Sequence, residues 1–508
     1  VDILKVLQTN LSSNKNILVV GLGISGVATA RILSKRGFRV IAIDKMAEED
    51  VNRRTGADSI LQLRSLGVSL NFGIDGEGAA PLLENVGLCV LSPGISLESA
   101  IVGAITRRNI PICNELELAV DLIGLPTIVV TGSNGKSTTV TLIHEMLRAS
   151  GLDAKLCGNV GIPVISLIDA DSNETKGSHL VIEASSYQLE TCYHLHPTVA
   201  VWLNISDNHL ERHGTIERYL DVKTKVFACQ TTAEPAIVNF DDDRVSLVLR
   251  SVKGQPIGFG RNEDSLKNGC KEYAVIELEA NSNKDQISLI LEGKREVYNL
   301  ERFPLHGVHN RYDAAAALLA ARKSGATEEG CQSVLNRFTG LRHRYQVVET
   351  IGGVTFINDS KSTTVASTCA AFASTREQNP KARIHLMVGG MVKAGSWMPL
   401  INLARGYFTE ANPIVCFGGD GRIIHNHLLT AGIPSKILMT HRDAFRDTVS
   451  RVTSGDIVLF SPGCASFDEF QNFEKRGDAF EKLVREHGGH NRERAGVECT
   501  TTKSSTAI

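Results

Sequence analysis

The segment Thr131-Gly-Ser-Asn-Gly-Lys-Ser-Thr138 restricts the fold more than any other part of this chain. It follows the apolar run Pro126–Val130 and precedes Thr139–Arg148, whose pattern reads as a helix. A strand, a glycine-bearing turn and a helix start in that order belong to a parallel α/β sheet. Gly132 and Gly135 let the backbone curl so that its N–H groups point at oxygens. The helix start adds partial positive charge. Lys136 can reach the β- and γ-phosphates of a nucleotide, and the hydroxyl of Ser137 or Thr138 can hold Mg²⁺. The spacing, GxxGKST, is shorter than the usual GxxxxGKST. The bland alternative is a tight turn with an incidental lysine. The joint arrival of strand, both glycines, Lys-Ser-Thr and helix favours the phosphate cradle.

Two further domains frame this one, and the fold class is α/β throughout. Residues 1–119 read as a Rossmann-like domain. Strand Asn16–Val20, the turn Gly21-Leu-Gly-Ile-Ser-Gly26, a helix to about Lys35 and strand Arg39–Asp44 form a βαβ unit. A GxGxxG turn with an acid about 20 positions on is the dinucleotide-binding pattern. A glycine turn that binds nothing would look the same. Gly87–Leu91 is another strand, and Ser92 and Gly94 after it face the same sheet edge as Gly23. Residues 120–341 read as a P-loop ATPase-type domain with parallel strands at His179–Glu183, Thr198–Asn204 and Ala236–Asn239. Residues 255–303 suggest short antiparallel strands, followed by a helix at Arg311–Arg322. Residues 342–487 read as a second Rossmann-like domain, with strands at Val354–Asn358, Ile384–Val388, Pro413–Phe417 and Asp456–Phe460. The Gly-, Thr- and Ser-rich stretch 488–508 has little to bury and is expected to be a disordered tail.

Length and charge exclude several classes. A chain of 508 residues fits about two to four domains. A formal charge of −2 argues against a general nucleic-acid binder. No apolar run approaches the ~20 residues that span a bilayer. The eleven cysteines are scattered without a CxxC pair and read as reduced thiols of an intracellular compartment. No Cys/His spacing suits zinc. The chain begins at Val1, so trimming of an initiator or a transit peptide stays open.

Candidate partners of the phosphate loop lie at strand ends. Glu183 closes an apolar strand, as a Mg²⁺-holding acid would, and polar residues 184–190 follow. Asp207, His209 and His213 follow the Trp202 strand. His209 reads as a ligand or substrate contact, or else as a capping residue.

These pieces together resemble the Mur ligase family of ATP-dependent amide-bond ligases. The matching motifs are TGSNGKST at 131–138, GNVGIP at 158–163, EASSYQLE at 183–190, NISDNHLERHG at 204–214, HGVHNRYDAAAA at 306–317, FTGLRHRYQ at 338–346 and NDSKSTT at 358–364. They occur in family order between residues 131 and 364. The turn GLGISG with VLSPGISL, the phrase SPGCASFDEFQNFEKRGDAF at 461–480 and the absence of a DNPR-type signature resemble the branch that adds D-glutamate to UDP-N-acetylmuramoyl-L-alanine.

The resemblance implies an acyl-phosphate reaction and a set of roles. The first domain would hold a uridine diphosphate rather than a nicotinamide, through Ile24, Ser25, Asp44, Ser92, Pro93 and Gly94. ATP would meet Gly132, Ser133, Asn134, Gly135, Lys136, Ser137 and Thr138, together with Asn310, Arg344 and Asp359, and the third domain would close over it. The catalytic set would be Lys136, Asn159, Glu183, His209 and Lys223. Two Mg²⁺ ions would be held by Ser137, Glu183, His209 and Lys223, the last as a carbamate. Read without the resemblance, Lys223 is a solvated helix lysine. D-Glutamate would meet Lys361, Thr363, Lys393, Ser466 and Phe473, and the bland reading of Lys393 is a loop lysine. Two departures stand out. Asp313 occupies a position where the family often has Asn, and Met391-Val392 replaces polar residues before Lys393. A monomer without nucleic-acid partner or membrane insertion is expected, in a bacterial cytoplasm or, as the alternative, a plastid stroma. Rival readings are a sister Mur enzyme, a folylpolyglutamate synthase-like ligase, an NAD-dependent oxidoreductase and a nucleotide-gated scaffold.

Overall fold

Short apolar runs bounded by glycines and polar turns form the parallel strands. The first sheet consists of β1 (Asn16–Val20), β2 (Val40–Asp44), β3 (Ser69–Phe72), β4 (Val86–Leu91) and β5 (Ile112–Asn114), in the order β3-β2-β1-β4-β5. All its pairings are parallel. Alternate residues serve different cores. Ile17 and Val19 pack into one cluster, and Leu18 and Val20 into another. Burial on both faces is why these strands are apolar without alternation. The order reverses between β1 and β4, and such a switch point opens a crevice at the strand ends.

In this computed structural model residues 3–168, 177–206, 210–249, 252–278, 285–305, 307–392 and 396–501 are described, the side chains of residues 77, 210, 211 and 490–501 excepted. The chain forms two compact units, Val1–Thr339 and Gly340–Ile508.

The first unit also holds a nine-stranded sheet. Its strands are β6 (Thr127–Thr131), β7 (Ala154–Gly158), β8 (His179–Glu183), β9 (Val199–Trp202), β10 (Pro235–Asn239), β11 (Gln255–Gly260), β12 (Glu272–Glu277), β13 (Gln286–Leu291) and β14 (Lys294–Asn299). They run in the order β14-β13-β12-β11-β10-β9-β6-β8-β7. The expectation of antiparallel strands across 255–303 is corrected here. β11 and β12 are parallel to β10, and only the β12–β13 and β13–β14 pairings are antiparallel. The short helix Glu263–Gly269 between β11 and β12 is the crossover that parallel pairing requires.

Helix Lys136–Ala149 follows β6. Beside it lies helix Val308–Lys323, buried continuously from Asp313 to Ala321. Its run of alanines lets it approach the sheet and its neighbour closely.

The second unit contains β15 (Gln346–Ile351), β16 (Val354–Asn358), β17 (Ile384–Gly389), β18 (Ile414–Phe417), β19 (Ser435–Ile437) and β20 (Ile457–Gly463), in the order β15-β16-β20-β17-β18-β19. β15 is antiparallel to β16 and the other pairings are parallel. Leu386 and Leu459 face one core, Met387 and Val458 the other. The last helix spans Phe473–Thr501, so helical backbone continues beyond Gly488 into the stretch expected to be a tail. Residues 502–508 lie outside the described residues. No helix among the described residues is long and apolar enough to cross a membrane.

Candidate active site

The phosphate loop leaves the end of β6 and enters helix Lys136–Ala149 with Gly132 at φ 155° and Gly135 at φ 82°. These left-handed angles are open to glycine and costly for other residues. The Lys136 ammonium folds back on the loop, donating to the carbonyls of Gly132 at 2.8 Å and Ser133 at 2.9 Å. Lys223, from helix Ile216–Thr224, reaches the same place. Its Nζ donates to Gly132 O at 2.9 Å and Thr131 Oγ1 at 3.1 Å, and lies 4.9 Å from the centre of the Tyr219 ring. Lys223 is 0% exposed, so the reading as a solvated helix lysine fails. Burial, and then repulsion from Lys136, hold its amine well below the ordinary lysine range, while Glu183 opposes them. A neutral amine is a nucleophile, which an ammonium is not.

Glu183 ends β8 and is buried. Its Oε2 accepts from Ser137 Oγ at 2.6 Å and its Oε1 from Asn159 Nδ2 at 2.7 Å. Asn159 is brought there by the turn after β7, where its N–H donates to Glu183 O at 2.8 Å. A carboxylate, a hydroxyl and an amide are hard oxygen-bearing groups, and this donor chemistry fits Mg²⁺. No group of three His, Cys, Asp or Glu suited to a metal occurs among the described residues. Asp207 and His209 lie outside the described residues. Lys136, Ser137, Asn159, Glu183 and Lys223 thus converge at the ends of β6 and β8.

Asn310 and Asp313 lie on helix Val308–Lys323. The buried Asp313 carboxylate presses on the loop. A Cβ at Gly135 would stand 2.1 Å from Asp313 Oδ1, so Gly135 is required for close approach as well as for its φ.

A cavity of about 300 Å³ opens at the ends of β1, β2 and β4. Gly21, Asp44, Lys45, Gly94, Ser96 and Arg212 are among its lining. Asp44 accepts from the N–H of Leu22 at 2.7 Å, the N–H of Met46 at 2.9 Å and Arg54 at 3.1 Å. Ser92 Oγ donates to Gly21 O at 2.6 Å. Both side chains therefore fix the glycine turn. Ile24, 72% exposed, projects beside it, at the start of the helix that also carries Ser25. Arg212, which the sequence reading missed, donates to Glu190 Oε2 at 3.0 and 2.6 Å and to Ile95 O at 2.8 Å. It ties the rim of this cavity to the second sheet. Its only sequence signal is its place in NISDNHLERHG.

In the second unit Asp359 follows β16. It accepts from Ser362, from Ser461 Oγ at 2.8 Å and from Tyr345 N–H at 3.0 Å. Burial lifts its carboxyl to about 6, against the lowering effect of these donors and of the Arg344 charge. His343 and Tyr345 hold left-handed φ of 63° and 47°, a backbone cost fixed by the Lys361 N–H bond to His343 O at 2.8 Å. The Lys361 ammonium stands 4.1 Å from the centre of the Phe473 ring. Ser466 is buried after β20, and Thr363 follows Lys361 on the β16 loop. A residue not anticipated, Arg476, is 1% exposed. It donates to Ser360 O at 2.9 Å, Cys464 O at 3.0 Å and Ala465 O at 3.3 Å, fastening the β16 and β20 loops. Lys393 lies outside the described residues. The Met391-Val392 pair before it is pinned by bonds of Met391 N–H to Ala465 O and Val392 N–H to Asp420.

Comparison with known proteins agrees across the chain. Residues 15–114 match the family described as Mur ligase MurD-like, N-terminal domain. Residues 130–321 match the Mur ligase middle domain, and residues 343–464 the Mur ligase, glutamate ligase domain. A UDP-N-acetylmuramoylalanine–D-glutamate ligase of Acidobacterium capsulatum is 34% identical, covering 94% of this chain and 97% of that protein. One of Pelotomaculum thermopropionicum is 35% identical, covering 93% and 98%. Among solved structures, the UDP-N-acetylmuramate-alanine ligase MurC of Thermotoga maritima aligns with a TM-score of 0.53 at 17% identity, covering 93% of this chain and 100% of that one. The MurF ligase of the same organism, in complex with ADP, aligns at 0.52 and 18%, covering 88% and 96%. At such identity these two show a common fold.

Proposed function

The chain belongs to the Mur ligase family, and from that premise we infer that it joins D-glutamate to UDP-N-acetylmuramoyl-L-alanine, driven by ATP, in peptidoglycan precursor synthesis. The observation that carries this reading is its near full-length likeness to D-glutamate ligases. A parallel sheet with a lysine-bearing phosphate loop and a held carboxylate supports it.

A carboxylate is a poor electrophile, so the L-alanyl carboxylate oxygen first takes the γ-phosphoryl group. A P–O bond forms, the β–γ bridge breaks and ADP leaves. The neutral amine of D-glutamate then attacks the acyl carbon. The C–N bond forms, nitrogen loses a proton, and phosphate leaves with the former carboxyl oxygen. Most of the catalytic task is orientation and charge neutralisation.

Lys136, now resting on loop carbonyls, is the cation that would exchange them for the γ-phosphate. Ser137, Glu183 and Asn159 form the oxygen-rich corner that would hold Mg²⁺, with His209 and a second ion assigned by resemblance. When bound, Mg²⁺ supplies charge neutralisation at the phosphates. The Lys223 amine is the group we assign to carbamate formation: its nitrogen bonds the carbon of CO₂ and gives up a proton, turning a potential cation into an anion. The cavity at β1, β2 and β4, with Gly94 in its lining, is our site for the uridine nucleotide, and Ile24, Ser25 and Pro93 are assigned to that nucleotide by the family resemblance. Asp44, committed to Leu22 and Met46, acts there through the glycine turn, which weakens the oxidoreductase reading. Lys361, Thr363, Ser466 and Phe473 are assigned to D-glutamate, with Lys393, and Asn310, Arg344 and Asp359 to the nucleotide, in each case by the family resemblance alone. We further infer a monomer in a bacterial cytoplasm, with a plastid stroma as the alternative setting.

Phosphate release against a panel of UDP-muramoyl peptides, amino acids and folates tests this reading. Release that needs both UDP-N-acetylmuramoyl-L-alanine and D-glutamate is expected. Equal release with L-glutamate, or with a folate acceptor, would overturn it.

A further inference from the structure

We propose that Asn204 is a positioning residue that sets the phosphate loop for ATP. The inference rests on the ATP reading of residues 131–138. β6 and β9 pair in parallel up to Thr131 and Trp202. Beyond the strands the pairing continues, with Leu203 N–H donating to Thr131 O at 3.0 Å and Ser133 N–H to Asn204 O at 3.0 Å. There the Asn204 side chain takes over. Its Oδ1 accepts from Asn134 N–H at 2.9 Å, and its Nδ2 donates to Asn134 O at 3.2 Å. One carboxamide thus bonds both polar groups of a single loop residue, as a neighbouring backbone would. Ser206 N–H donating to Ser133 Oγ at 2.9 Å closes the same seam.

The chemistry limits which residue can do this. A carboxamide offers an acceptor and a donor side by side in one plane. Asp offers no donor, and Ser is too short to span both atoms. Asn134 is exposed, so without the seam its peptide would be open to water. The Asn134 N–H is turned towards β9, away from the role of a phosphate donor, and the seam fixes the backbone immediately before Gly135 and Lys136. The loop that must meet a triphosphate is therefore shaped before the nucleotide arrives, and its ordering is not charged against ATP binding.

Asn204→Ala, with Asn204→Ser as the milder second variant, tests this by steady-state kinetics and by titration of a non-hydrolysable ATP analogue. The KM for ATP and the analogue Kd are expected to rise about tenfold, as loss of two hydrogen bonds implies. The kcat and the KM for the nucleotide-sugar should stay within about twofold, and the Asn134 amide should lose hydrogen-exchange protection. Unchanged ATP affinity in both variants would overturn the proposal. So would a parallel fall of every kinetic parameter with the melting temperature, which marks a merely structural role. Failure of the unaltered protein to bind the analogue would instead overturn the ATP reading beneath it.

Discussion

Lys136 and Lys223 donate to one oxygen, the carbonyl of Gly132, at 2.8 and 2.9 Å. Two ammonium groups so close, one of them fully buried, repel each other strongly. Burial first and the Lys136 charge second hold the Lys223 amine well below the ordinary lysine range. The carbonyl is thereby shared by the loop cation Lys136 and a buried amine whose charged form is disfavoured.

Replacing Lys223 tests the second half of that pair. Lys223→Ala is expected to lower kcat by at least about 100-fold, the scale of losing one preorganised electrostatic group. Acetate or propionate in the assay should restore part of the rate by supplying the missing carboxylate. Full activity of the untreated variant would remove the carbamate assignment.

Asn159 holds one oxygen of Glu183 and Ser137 the other. Asn159→Ala frees one oxygen of a buried carboxylate whose direction matters. A Mg²⁺ titration should show a higher metal requirement and a kcat down by about 10- to 100-fold. A titration curve that overlays the wild type would contradict this role for Glu183.

Asp359 makes a pH prediction. Its folded value of about 6 lies above the unfolded 3.8, so the folded state holds this proton more tightly. The stabilisation is full below about pH 4 and is lost as pH rises through about 6. Asp359→Asn carries no such loss. The stability of the variant relative to wild type should therefore rise between pH 4 and pH 7, by an amount on the order of 2 kcal/mol. A difference that does not change with pH would contradict it. The variant should also lose activity at neutral pH.

Much of this was legible in the sequence because the information was local. β1, β4, β6, β8, β16 and β17 are apolar without alternation, since both faces are buried, and the glycines and Lys136 stand at fixed offsets from β6. β3, β5, β7, β15 and β19 were missed. They are short edge or near-edge strands with polar positions such as Asn71, Lys155 and Lys436, which leave little periodicity to read. The pairing of β11 with β12 was misread because it depends on one seven-residue helix. The Arg212–Glu190 pair and the Asn204 seam were invisible because their partners are far apart in the chain and meet only once the sheet has formed.

Arg212 makes a stability prediction. Its partner Glu190 is 3% exposed, so Arg212→Met leaves a buried carboxylate without its guanidinium. Urea denaturation should show a loss of about 3 kcal/mol. Adding Glu190→Gln should recover part of it, because the orphaned charge is then gone. A single-variant loss below about 1 kcal/mol would contradict this account of the pair. Affinity for the uridine nucleotide should also fall, since Arg212 lines the cavity we assign to that nucleotide.

The most direct measurement follows one oxygen atom. UDP-N-acetylmuramoyl-L-alanine labelled with ¹⁸O in the alanyl carboxylate is offered with ATP, Mg²⁺ and D-glutamate, and the released phosphate is analysed by mass. An acyl phosphate requires one labelled oxygen in each phosphate formed, in step with the new amide. Phosphate without label, or turnover of ATP without an amide product, would contradict the account at its centre.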